Sequence, residues 1–271
     1  MSSPDTDAFD PAGKIIPHAS AFRHLFGGLC ATLLIGMAQA EAEEFKPELV
    51  GDIGLGGYYT RSIIRGNRNE LSVLPYLDFE YGRMFARVDT LGVKTLKLGY
   101  GYLELTGRIS QDGFNTNVPN LQGLGKRDTP VPIGIGTLQE TPLGGFMINA
   151  FHDVNRSRGD LLEVIYGGEL DLPRVTLYPL LGAEYQSGKY VRYYYGISPL
   201  EAASSQQYAA YQPAGAVNGL IGLIADIRLS DEYYLNCNVR RKWLGDAIRL
   251  SPIVNQRYLD TGYIALSYRF R

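Results

Sequence analysis

From about residue 47 onward, apolar and polar residues alternate strictly in one segment after another. In "YYLNCNVRRKWLG", Tyr233, Leu235, Cys237, Val239 and Trp243 fall on one side of the period, and Asn236, Asn238, Arg240 and Lys242 on the other. In "GYIALSYRF", Ile264, Leu266, Tyr268 and Phe270 alternate with Ala265, Ser267 and Arg269. A period of two with one apolar face predicts β-strands. The pattern gives eleven segments, at 47–60, 71–81, 84–93, 96–109, 129–141, 145–154, 160–172, 175–186, 215–229, 232–245 and 258–271. Each is about the length of a tilted membrane strand. No stretch after residue 42 carries a helical period, and none is apolar for the eighteen or more residues of a spanning helix.

Long strands with one apolar face predict an all-β fold: an antiparallel transmembrane β-barrel, apolar outside and polar inside. The connections alternate in length. "TPLG", "DLPR" and "LSDE" are tight turns, whereas "SQDGFNTNVPNLQGLGKRD", "NRSRGD", the stretch after Gln186 and "DAIRLSPIVNQ" are long loops. Outer-membrane barrels keep short turns on the periplasmic side and long loops outside. Eleven is an odd count, and single-chain bacterial barrels use even ones. The phase slips at Gly82 and Arg83, which a β-bulge or a two-residue hairpin would both produce. A bulge gives about ten strands, the count expected here. Twelve is the alternative and needs one further strand, for which "KYVRYYYGIS" is the candidate.

The first forty residues break the pattern. Arg23 and His24 precede an apolar run from Leu25 to Met37, followed by Ala38 and Ala40 spaced as A-x-A. This reads as a secretory signal peptide over 1–40, cleaved after Ala40 or alternatively Ala42, with the barrel over 41–271. Leu29 precedes Cys30 where a lipoprotein signal wants a small residue, so no lipid anchor is read. Composition agrees with a secreted β protein: 20 Tyr, 10 Phe, one Trp and 32 Gly among 271 residues. A net charge of −2 and the lack of a basic block give no pull toward nucleic acid. Beyond the signal the chain keeps Cys237 and His152 alone of their kinds, which excludes an internal disulfide and leaves no Cys/His metal cluster. No cofactor is expected.

The stretches "YYYGISPLEAASSQQYAAYQPAGA", "KWLGDAIRLSPIV", "GYIALSYRF", "YLDFEYGRMFARVDTLGVKTL" and "LPRVTLYPLLGAEY" resemble, in order and spacing, the MipA/OmpV family of outer-membrane proteins. The resemblance runs from about Leu49 to Phe270. It implies a barrel associated with cell-wall machinery, its namesake bringing a membrane-bound lytic transglycosylase to a bifunctional penicillin-binding protein. It implies no catalytic residues. The expectation is therefore a non-enzymatic scaffold for peptidoglycan-remodelling enzymes in the outer membrane, in contact with lipid and lipopolysaccharide. The alternative is a narrow porin for small solutes.

The candidate sites follow from that orientation. A periplasmic partner would meet the acidic Glu41, Glu43 and Glu44 of "EAEEFKPELV", together with Arg174, Asp231 and Glu232 on the tight turns. His152 and Asp153 lie near an outer strand end, but neighbours on a strand point to opposite faces and cannot form a dyad. Arg192 with Tyr193, Tyr194 and Tyr195 offers either a ligand platform or an interfacial aromatic belt. Lys126, Arg127, Arg156 and Arg158 could meet lipopolysaccharide phosphates from the outer loops, or simply keep those loops soluble. Asp78, Glu80, Arg87, Asp89, Glu163, Glu184, Arg240 and Lys242 face the lumen, as a pore lining or as a sealed network of ion pairs.

Overall fold

A computed structural model describes residues 45, 47–110 and 112–270. Residues 1–40, the stretch expected to be a signal peptide, and Glu41, Glu43 and Glu44 lie outside the described residues. Thirteen strands form one antiparallel sheet that closes on itself, since β10 pairs with β11 as well as with β8. In chain order they are β1 (Leu49–Thr60), β2 (Glu70–Tyr81), β3 (Met84–Arg87), β4 (Thr90–Leu98), β5 (Gly101–Arg108), β6 (Pro132–Thr141) and β7 (Gly144–Asp153). β8 (Asp160–Gly167), β9 (Leu170–Leu172), β10 (Val175–Gln186), β11 (Ala216–Arg228), β12 (Tyr233–Trp243) and β13 (Tyr258–Phe270) complete the wall. β8 and β9 both pair with β10 and continue one another across Gly168 and Glu169, so the barrel has twelve staves. The register followed once around in chain order returns to β1 about 16 residues further along, which corresponds to a strand tilt of roughly 45°.

Ten staves was the wrong count, for a local reason. Gly82 and Arg83 are a two-residue hairpin, with Tyr81 opposite Met84, and not a bulge. A second such hairpin at Val88 and Asp89 cuts the segment 84–93, and a third at Gly99 and Tyr100 ends β4. The sequence pattern merged these pieces because a two-residue turn restores the alternation within a few residues. The twelfth stave comes from that split. "KYVRYYYGIS" is not a strand: Gly188–Tyr195 is the helix α1.

The predicted faces hold. Leu55, Leu105, Ile133, Ile135, Val164, Leu181, Val217, Ile221, Val239, Ile264 and Leu266 are exposed on the outside. Such an apolar surface has no place in water and every reason to be in lipid. Tyr59, Tyr185 and Trp243 near one rim, and Tyr81, Phe146 and Tyr233 near the other, are also exposed. They stand where aromatic girdles meet the headgroups. Every stave pairs with both of its neighbours around the wall, the condition for crossing hydrocarbon with strands, and the outer end of β2 is paired on its β1 side.

The loops at the long-loop end fold into a body of their own. It carries α1, α2 (Pro199–Ser205) and α3 (Asp246–Arg249), with a 3-10 turn at Pro119–Leu121. α1 places Tyr190, Val191, Tyr194 and Tyr195 on one side, the i, i+1, i+4, i+5 stripe of a helix packed on one face. α2 begins with a capping box. Ser198 accepts from Glu201 N–H, and Glu201 Oε2 accepts from Ser198 N–H at 2.9 Å.

Candidate functional site

Two places carry functional potential: the outer mouth and the periplasmic rim. At the mouth, loops 61–69, 109–131, 187–215 and 244–257 share one apolar core. Ile63, Ile64, Leu121, Tyr190, Val191, Tyr194, Tyr195, Ile197, Ile248 and Ile253 are all buried in it, together with Phe151 and Leu161 from the strand tops. Its polar groups are satisfied inward. Tyr190 Oη donates to Asp112 Oδ2 at 2.5 Å, and Tyr194 Oη donates to the Asp128 carbonyl at 3.1 Å. Burial, and then the Asp112 charge, hold the Tyr190 and Tyr195 phenols well above the ordinary tyrosine value. Arg127 donates to Glu201 at 2.7 Å and to the Gly196 carbonyl at 3.1 Å, tying loop 109–131 to α2. Burial pushes the Glu201 carboxyl up, but bonds from Arg127 and from the Ser198 and Gly125 N–H groups outweigh it and take it down to about 2.

These contacts correct two sequence readings. Tyr194 and Tyr195 are neither an exposed platform nor a membrane belt; they are the centre of the lid. Arg127 is structural and buried, so it is not available to a lipopolysaccharide phosphate. Lys126 and Arg156 both pair with Asp128, at 3.0 and 2.9 Å. The capping sequence "SPLE" and the helical spacing of Tyr190, Val191 and Tyr194 were the signals available for this lid, and alternation-based reading passed over them.

Below the lid the lumen is laced with ion pairs. Arg87 makes a two-pronged contact with Glu104, at 2.8 and 2.9 Å, and Lys94 reaches Glu80 at 2.5 Å. Arg108 on β5 pairs with Glu163 on β8, and Lys242 on β12 reaches both Glu184 oxygens at 3.0 Å. Arg269 joins Asp52 and Asp226 nearer the periplasm, at 2.6 and 2.7 Å. Of the predicted lumenal residues, Glu80, Arg87, Glu163, Glu184 and Lys242 enter these networks. Their partners Asp52, Glu104, Arg108, Asp226 and Arg269 were not foreseen, because pairing across the lumen depends on which staves face one another.

His152 and Asp153 separate as strand geometry demands. Asp153 turns inward and caps the following turn, accepting from Val131, Asn155 and Ser157 N–H. His152 turns outward, with Nδ1 at 2.7 Å from Asp160 Oδ1 on β8. The sequence reading missed that partner, which lies directly across the β7–β8 hairpin.

At the other end the turns are short and their tips apolar. Tyr100, Leu143, Leu172 and Leu229 are exposed by 68, 79, 56 and 53%. Arg174, Asp231 and Glu232 lie on the same rim. The Arg174 carbonyl accepts from Arg228 N–H, Asp231 pairs with Arg228, and the Glu232 carbonyl accepts from Arg269 N–H. Asp231 is thus engaged by its own hairpin.

Residues 53–270, nearly the whole described barrel, match the profile of MltA-interacting protein MipA. The chain belongs to the MipA family. Among its relatives, the outer membrane protein YiaT of Escherichia coli is 26% identical over 238 residues, 86% of this chain and 94% of that one. OmpV of Vibrio cholerae is 28% identical over 155 residues, 56% of this chain and 58% of its own. Among solved structures, the N-terminal β-barrel domain of Pseudomonas aeruginosa OprF aligns at a TM-score of 0.26 and 10% identity, covering 81% of this chain and 99% of that one. This MipA-family chain is an outer-membrane barrel, with its apolar band in lipid and its short turns toward the periplasm.

Proposed function

We propose that this protein is a non-enzymatic, closed barrel that docks a peptidoglycan-cleaving lytic transglycosylase at the periplasmic face of the outer membrane. The description of its family names such an interaction, and a bifunctional penicillin-binding protein is the second partner that reading implies. The observation that carries the proposal is the periplasmic rim. Four turn tips each present a large apolar or aromatic side chain, where a turn with no partner would carry polar residues. Aromatic and aliphatic anchors spaced around a ring suit a protein interface, whose affinity concentrates in a few buried side chains. The acidic residues Glu41, Glu43 and Glu44, with Glu232, would add steering that salt weakens.

The test is capture of a purified lytic transglycosylase by the protein in detergent. Tyr100→Ala with Leu143→Asp should weaken capture at least about tenfold, the scale of losing interface anchors. Reversing the charges of Glu41, Glu43 and Glu44 should weaken it further at low salt. Unchanged capture in both variants would sink the docking proposal. The narrow-porin reading makes a different demand, since the lid would have to leave a path. Single-protein conductance in a planar bilayer should be near the baseline. A steady open channel would favour transport.

A further inference from the structure

The wall has a gap. β2 is twelve residues long, but its neighbour β3 has only four. The topmost β2–β3 pair is Asp78 with Arg87, followed by one bond from Val88 N–H to the Leu77 carbonyl. β4 and β5 stop level with β3, since Arg87 faces Thr90 and Thr90 faces Arg108. β2 runs on through residues 70–76 paired to β1 alone among the strands. With the tilt allowed for, the top of β3 falls about 15 Å short along the barrel axis, and the gap is at least about two strand spacings, or 10 Å, wide. The loop that leaves β5 turns into the mouth, where Asp112 meets Tyr190, and its Asn120 packs on Gly66 above the gap. Among the described residues this leaves a side window at the level of the outer leaflet.

Three features show a built opening rather than a frayed edge. Carbonyls alternate along a strand, so Leu77 facing β3 places Pro75, Val73 and Leu71 on the open edge. Pro75 has no N–H to leave unpaired there, and it blunts the edge against another strand. The floor of the window is the Val88–Asp89 turn, with Val88 at φ 53°. The corresponding turns at Gly82 and Gly99 use glycine at φ 58° and 59°, so a β-branched residue is held under strain at this one place. Leu71 and Val73 are exposed on the outer face, and the inward Leu74 is uncovered as well.

Behind the window lies an aromatic wall. Tyr58 and Tyr76 both pack on Tyr263, with ring centroids 5.3 and 5.6 Å apart. The next stave carries Arg240, whose Nε is buried without a hydrogen-bond partner and whose charge acts on Tyr263. Most other lumenal cations are paired to carboxylates; Arg240 forms no ion pair among the described residues.

We propose that this window is a lateral port for a single-chain amphiphile with a carboxylate head. Its chain enters from the outer leaflet past Leu71, Val73 and Leu74, lies against the half-buried Tyr58 and Tyr263, which Tyr76 backs, and brings its carboxylate to Arg240. A guanidinium with no carboxylate partner, its Nε buried and unsatisfied, selects an anion, and its planar fork matches a carboxylate. The apolar rim selects the tail. A second copy added to the β2 edge is disfavoured by Pro75.

The probe is oleate, read by displacement of a fluorescent polyene fatty acid from the full-length protein in nanodiscs. Oleate should compete, and oleyl alcohol should compete at least tenfold less well. Arg240→Gln should weaken oleate at least tenfold, while Arg240→Lys retains most of the affinity. Leu74→Trp should slow entry. Because Arg240 holds no structural partner, these variants should keep heat-modifiable mobility on gels. Equal competition by oleate and oleyl alcohol, or no change in Arg240→Gln, would overturn the proposal in favour of simple partition onto the outer surface. Efficient disulfide crosslinking of Val73→Cys between two copies would instead assign the edge to a dimer.

Discussion

The wall and the lid of this protein solve opposite problems with the same residue types. In the wall, Val239, Ile264 and Leu266 point outward and are exposed, while Glu104, Glu163 and Glu184 are buried inside. In the lid, Ile197, Ile248 and Tyr194 are buried, and charged groups such as Asp246 lie exposed. The wall is stabilised by a closed hydrogen-bond ladder in a solvent that offers no hydrogen bonds. The lid is held by apolar burial in water, as any small soluble domain is. The difference teaches that lid and wall should fail separately, and under different perturbations.

The largest expected effect is on the lid. Tyr194→Ala removes a fully buried ring and should cost the lid about 3–5 kcal/mol, the usual range for a large core truncation. The barrel should still migrate as a folded species on gels, while conductance or protease sensitivity of loop 187–215 rises. Loss of the barrel itself would show that the lid is part of one cooperative unit with the wall. In the wall, Ile264→Arg puts a charge near mid-membrane on the lipid face and should cost about 2–4 kcal/mol. Refolding titrations into lipid vesicles measure it, and near-neutrality would break the assignment of that face to lipid.

A pH series separates the two regions more finely. The Glu201 carboxyl is depressed to about 2 in the folded lid, against about 4.3 in an unfolded chain. Its contribution is therefore full above about pH 4.3 and is lost as the pH falls toward 2. Hydrogen exchange in loops 109–131 and 187–215 should accelerate across that window, and Glu201→Gln should flatten the dependence. The smallest effect is expected for His152→Ala. It removes an exposed rim pair with Asp160 and should change stability by no more than about 0.5 kcal/mol. A larger loss, or loss of a hydrolytic activity, would give that pair a role the docking proposal denies it.

Much of the wall was legible because a strand in lipid writes a two-residue period into the chain. Tyr233, Leu235, Cys237, Val239 and Trp243 took the face that their spacing assigned. The stave count was not legible, since the hairpin at Val88 and Asp89 lacks the glycine that marks its neighbours at Gly82 and Gly99. The lid was missed for a different reason. Tyr193, Tyr194 and Tyr195 were weighed as surface aromatics, although Tyr190 and Tyr194 are spaced as on a helix and Ser198 to Glu201 announces a helix start. At the periplasmic rim, Arg174, Asp231 and Glu232 fell on the turns as expected. Beside them, the sequence placed Tyr100 within the segment 96–109, Leu143 in the turn "TPLG", and Leu172 and Leu229 at segment ends, with no sign that the four would form an exposed apolar rim.

The sequence alone determined that the chain is a barrel, which residues face lipid, and which end carries the long loops. These follow from local alternation and from connection length, and neither needs a distant contact. Only the tertiary structure decided that Arg108 meets Glu163 across the lumen, that four loops share one core, and that β2 outruns β3 to leave a window beside Pro75. Those outcomes depend on register accumulated around twelve tilted staves. A local pattern fixes the face of each residue, but not its height or the residue it meets on the far side.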